Sequence, residues 1–167
     1  MAETILIELS EIPKRTPLGG NIDTDKYRYC LEDVQKEILE PALGTKLYEK
    51  MKTDYPTFAG DYVTLHTNYI TPILINATAA EYMVSNAIVF DNNGAYKNAP
   101  DGAESVSIAE IESVAQNRRA KVDMDLDRMA RFLSSKSDTI PEYAANQDND
   151  YDISKDSDIN TGISWHL

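Results

Sequence analysis

The chain has 167 residues, 42% of them hydrophobic and 26% charged, which is a single-domain length with enough apolar content for a core. Its net charge of -12 disfavours free nucleic-acid binding, because an acidic surface repels phosphate. One cysteine, Cys30, rules out a disulfide-stapled scaffold, and no apolar run approaches the ~20 residues of a membrane helix or forms a signal peptide, so folding in a cytoplasm is expected.

Residues 1–24 read as an N-terminal arm. Ile5, Ile7 and Leu9 alternate with Leu6, Glu8 and Ser10, which suits one short strand, and Pro13, Pro17, Gly19 and Gly20 follow as turn residues. An arm of this length holds no core, so it is expected to lie on the helical body or on a neighbouring chain. The first helix is expected from Asp23 or Thr24, with Tyr27, Cys30, Leu31, Val34 and Ile38 on one face, until Pro41 ends or kinks it. Gly44-Thr45 reads as a turn with a new N-cap. A short helix then carries Leu47, Tyr48 and Met51 and stops before Pro56.

A long helical stretch is expected from about Phe58 to Phe90. Its apolar steps are Phe58, Tyr62, Leu65, Tyr69, Ile73, Ala77, Ala80, Val84 and Ala87. Pro72 lies inside it, which predicts a kink or a restart capped by Thr71. The small side chains at Ala77–Ala80 allow another helix to approach closely. Residues 91–106 break the pattern with Asn92-Asn93-Gly94 and Pro100-Asp101-Gly102, leaving a projecting loop in which Ala95-Tyr96-Lys97 suits one arm of a hairpin.

The last main helix opens on a capping box, Ser107 with Glu110. Ile108, Ile111, Ala115, Val122, Leu126, Met129 and Leu133 mark its apolar face. Asp127 with Arg131 and Asp125 with Arg128 are spaced to pair along its exposed side. Residues 137–167 form an acidic C-terminal tail, where seven acids (Asp138, Glu142, Asp148, Asp150, Asp152, Asp156, Asp158) face one base, Lys155. The tail carries Ile163-Ser164-Trp165-His166-Leu167. Tryptophan is a favoured interface anchor, so the tail either docks on a partner or neighbouring subunit or folds back on its own helices. The fold class is mainly α: a small helical bundle at 25–136 with a projecting loop or short hairpin at 91–106 and extended N- and C-terminal arms.

Catalytic chemistry finds little support. There are two histidines, His66 on a helix flank and His166 in the tail, and no Gly-rich phosphate loop, nucleophile elbow or zinc spacing. Asp123, Asp125 and Asp127 alternate on a helix and point in different directions. Asp156, Asp158 and Asn160 have Thr161 where a calcium loop needs glycine, so solvated charge is the reading for both clusters. No catalytic residue, cofactor or metal is expected.

Four segments carry a resemblance: Thr16-Pro17-Leu18-Gly19-Gly20-Asn21-Ile22-Asp23; Glu40-Pro41-Ala42-Leu43-Gly44-Thr45-Lys46-Leu47-Tyr48; Tyr69-Ile70-Thr71-Pro72-Ile73-Leu74 leading into Ala80-Glu81-Tyr82; and Asn93-Gly94-Ala95-Tyr96-Lys97 with Ala103-Glu104-Ser105-Val106-Ser107. In this order, over about residues 10–135, they resemble structural proteins of phages of Bacteroides-type bacteria, including crAss-like phages. That group is similar to the head-completion, or connector, proteins of tailed phages. The resemblance implies a virion protein of the neck, assembled in the host cytoplasm. It implies a ring of identical subunits, usually a dodecamer, below the portal protein and joined to tail or other neck proteins, with DNA passing through the lumen and no membrane. Ile5, Ile7, Leu9, Tyr96, Lys97, Ile163, Trp165 and Leu167 are the expected interface residues. The competing expectation is a cytosolic helical adaptor that forms no ring.

Overall fold

A computed structural model of the protein describes residues 4–18, 25–91, 94–97 and 106–144. Helices α1 (Glu11–Arg15), α2 (Asp25–Val34), α3 (Glu40–Leu43), α4 (Thr45–Asp54), α5 (Asp61–Leu65) and α6 (Thr71–Ser85) precede a hairpin of β1 (Ile88–Asp91) and β2 (Gly94–Lys97); α7 (Ile108–Ser135) and α8 (Pro141–Ala144) follow. The fold is mainly helical, as the apolar periodicity predicts.

Helix α6 is the centre. Ile73, Leu74, Ile75, Ala77, Thr78, Ala79, Ala80 and Tyr82 are all buried, so it is covered around most of its circumference. It packs on α7, α2 and α1. The expected close approach at Ala77–Ala80 is present, since Ala77, Ala79 and Ala80 are fully buried. The expected single stripe was too narrow, because Leu74, Ile75 and Ala79 lie outside it and are buried as well.

Pro41 and Pro72 share one solution. A proline has no N–H and its ring clashes with the carbonyl four residues back. Before each, the helix widens by one residue into a π turn, at Gln35–Leu39 and at His66–Ile70. The Glu40 N–H donates to the Gln35 carbonyl and the Thr71 N–H to the His66 carbonyl. Pro41 and Pro72 then sit in the first turn of α3 and α6, where an N–H is not needed. Pro41 therefore does not end its helix, and Thr71, with helical φ −57° and ψ −51°, is not a cap. Gly44 takes the positive φ of 78° that separates α3 from α4, so the N-cap of α4 is Gly44 rather than Thr45.

The N-terminal segment differs from the expected strand. Residues 5–10 form no strand but bend at 6–7 and turn at 9–10, and α1 follows. Leu6, Ile7 and Ile12 are buried in the common core, with Ile5 and Leu9 packed against it. The two π turns hold this segment. The Gln35 amide, fully buried, accepts the Leu6 N–H at 2.7 Å and donates to the Thr4 carbonyl at 3.1 Å. His66 Nε2–H donates to the Leu6 carbonyl at 2.6 Å, its ring lying 4.7 Å from Phe58. Polar backbone that enters a core must find such partners. Of the two resting places expected for the arm, it occupies its own helical body.

The far end of the chain is fastened in a similar way. Ile140 and Tyr143, which fall in the segment 137–167, are buried in the same core. Asp61 accepts the Thr139 hydroxyl at 2.6 Å and pairs with Lys136 at 3.2 Å. These contacts, the Thr139 hydrogen bond first, hold its carboxyl below the usual range. The Tyr62 hydroxyl donates to Glu142 at 2.6 Å; burial first and the Glu142 carboxylate second push its ionisation up.

Candidate interaction surface at the free end of the long helix

The start of α7 is set locally. Ser107 Oγ accepts the Glu110 N–H at 3.2 Å, and the Ser107 N–H donates to Glu110 Oε2 at 2.9 Å. Both halves of the predicted capping box are thus made, and the Ser107 hydrogen bonds lower the Glu110 carboxyl. The predicted pairs on the exposed side are also present: Arg128 lies 2.8 Å from Asp125, and Arg131 pairs with Asp127.

From there α7 runs about 42 Å, against about 22 Å for α6. The two are antiparallel. Tyr69 stacks on Phe132 with ring centroids 4.9 Å apart, Arg118 donates to Asn76 Oδ1 at 2.8 Å, and Arg119 lies 3.7 Å from Glu81. Counting along from these pairs, Ser85 falls level with about residue 115. The first two turns of α7 therefore pass beyond the end of α6.

The apolar stripe does not stop where α6 stops. Ala115, Val122, Leu126, Met129 and Leu133 are buried, and the same three- and four-residue steps continue back to Ile111, half-buried, and Ile108, 45% exposed. Val106 (57%) and Val114 (45%) are exposed at this end too. The hairpin leaves α6 here, with Val89 opposite Tyr96 and Ile88 opposite Lys97 in antiparallel register. Its first strand, Ile88–Asp91, replaces the last turn of the helix expected to Phe90.

Arg119 marks the border between the covered and uncovered parts of the stripe. It occupies a stripe position, is 3% exposed, and reaches Glu112 at 2.6 Å besides Glu81. A guanidinium is retained at such a position only with carboxylates beside it. An arginine interrupts an apolar pattern, so periodicity does not point to this residue; its i−7 spacing to Glu112 is the available signal.

The expected interface residues separate into three groups. Ile7 is buried and Ile5 and Leu9 pack against the same core within the single chain. Tyr96 and Lys97 lie in β2, at the free end of α7. Ile163, Trp165 and Leu167 lie outside the described residues, as do Asp156, Asp158 and Asn160. Cys30 is a buried core residue whose thiol burial pushes up. Among the described residues, no three His, Cys, Asp or Glu side chains are grouped to hold a metal ion, and no helix is long and apolar enough to cross a membrane.

Residues 39–153, more than half of the chain, match the model of a family of unknown function, DUF6712. No curated protein and no solved structure matches the chain.

Proposed function

We propose that this chain, which belongs to the DUF6712 family of unknown function, is a structural virion protein: a subunit of the head–tail connector ring in the neck of a tailed phage. The observation that carries the reading is the apolar stripe of α7 that continues past α6 to the exposed Ile108, with Val106 and Val114 exposed near it. An apolar helix end set beside a projecting hairpin suits contact with another protein surface. A contact between two different patches of identical subunits closes into a ring when its rotation closes. In this reading α7 forms the ring wall, and its free end meets the next subunit. The portal protein lies above and tail or other neck proteins below, with twelve copies matching the portal.

The net charge of -12 supports the same reading. An acidic lumen repels the phosphates of DNA, so the duplex slides through without sequence-specific binding. The chain then acts mechanically in the virion neck after assembly in the host cytoplasm, with no catalytic residue, cofactor or metal.

Native mass spectrometry of the full chain, alone and mixed with the phage portal protein, tests this. The expected result is a portal-dependent ring of many copies. A monomer indifferent to the portal overturns the ring and favours a cytosolic helical adaptor, for which the same exposed end is the binding face.

A further inference from the structure

One ten-residue stretch, α5 with the π turn that follows it, holds both outer segments of the described chain. At its start, Asp61 accepts the Thr139 hydroxyl and pairs with Lys136, and Tyr62 donates to Glu142, 80 residues further on. One turn later, His66 donates to the carbonyl of Leu6, 60 residues back. Tyr69 then stacks on Phe132 near the end of α7. The N-terminal segment and residues 136–144 are thus gripped by neighbouring turns of the same helical stretch.

The π turn at His66–Ile70 is the joint between this stretch and α6. Each residue turns an α-helix by about 100°. If the joint gave up its extra residue, Asp61, Tyr62 and His66 would swing by about that angle against α6. They would leave Thr139, Glu142 and Leu6 together. Pro72 opposes the change, because in a plain α-helix its ring meets the carbonyl four residues back, that of Asn68, and the wider turn removes the clash. The stretch therefore has two registers, and one proline favours the closed one.

We propose that Asp61–Ile70 is a shared clasp, and that the N-terminal segment and residues 136–144 open together, as one unit smaller than the whole fold, when the π turn shifts register. Helices α2, α6 and α7 keep their packing on one another in that opening. It bares Leu6, Ile7 and Ile12 on one segment and Ile140 and Tyr143 on the other, all buried when the clasp is closed. Both segments then become available to a partner at once. The coupling itself needs no second copy of the chain.

Amide hydrogen exchange on the full chain, followed residue by residue, reads such partial opening. The Ile12 N–H donates to the Leu9 carbonyl and the Ile140 N–H to the Lys136 carbonyl, so these two amides report the two segments; Ala80, inside α6, reports the bundle. In the parent, Ile12 and Ile140 are expected to share one level of protection, below that of Ala80. Tyr62→Phe breaks a contact to one segment and Gln35→Leu a contact to the other. Each is expected to speed Ile12 and Ile140 alike, by about fivefold for Tyr62→Phe. Pro72→Ala alters neither segment and is expected to speed both by about tenfold or more relative to Ala80. Tyr62→Phe keeps the packed ring, so the test stands on it and on Pro72→Ala should Gln35→Leu fail to fold. Variants that each speed only their own segment overturn the shared clasp. Protection of Ile12 and Ile140 equal to that of Ala80 overturns it as well, because the segments then open only with the whole fold. Exchange unchanged at both segments in Pro72→Ala overturns the π turn as the joint.

Discussion

The two ends of α7 carry the same spacing of apolar side chains and meet different surroundings. From Ala115 to Leu133 the stripe is buried against α6 and the π turn before it, and from Ile111 back to Ile108 it runs out beyond α6. Periodicity tells which face of a helix is apolar, not what covers that face. Cover depends on the length of the neighbouring element, and α6 stops at Ser85, where the chain turns into β1. Arg119 sits at the boundary, where a buried cation can still reach Glu81 and Glu112.

The largest expected difference is between truncations at the two ends. Leu126→Ala removes fully packed methyl groups and is expected to cost about 2–5 kcal/mol in urea unfolding. Ile108→Ala is expected to stay within about 0.5 kcal/mol, as surface changes do. Equal costs would break the comparison by showing that the free end is covered within the monomer. Gln35→Leu comes next. It leaves the Leu6 N–H and the Thr4 carbonyl without their side-chain partner and is expected to cost about 1–3 kcal/mol, with faster amide exchange through residues 4–18. Exchange unchanged in that segment would show that the arm is held by burial alone.

Smaller effects sharpen the picture. Tyr62→Phe removes the hydrogen bond to the partly exposed Glu142 and is expected to cost about 1 kcal/mol, read as a lower denaturation midpoint. Ser107→Ala also is expected to cost about 1 kcal/mol, and to fray the free end while leaving exchange at Leu126 and Met129 unchanged. The Glu110 carboxyl is lowered in the folded state from 4.5, so its contribution is whole above that value and is lost as pH falls through the lowered one. Acid titration of helix content is expected to show this loss in the parent chain and not in Glu110→Gln.

What the sequence revealed was what local spacing decides. The capping box and the Asp125–Arg128 and Asp127–Arg131 pairs join residues three or four apart, and all three are made. The core faces of α2, α4 and α7 followed from apolar steps. The π turns stayed hidden because the response to Pro41 and Pro72 is an extra backbone residue, which no side-chain pattern encodes. Ile88–Phe90 was read as helix because a short apolar run fits either period. The arm at Ile5–Leu9 was read as a strand because alternation describes its side chains. Its actual holders, Gln35 and His66, lie 29 and 60 residues away from Leu6. Of the candidate surface, the strand at Ala95–Lys97 and the apolar position of Ile108 are legible, whereas the exposure of Ile108 depends on where α6 ends.

In the proposed ring the uncovered end of α7 joins one subunit to the next. The most direct test is the native mass of the full chain with the portal protein, compared between the parent and Ile108→Asp. A ring is expected for the parent and none for Ile108→Asp, with both chains unfolding at the same urea concentration. A ring that forms equally well with aspartate at position 108 would contradict it.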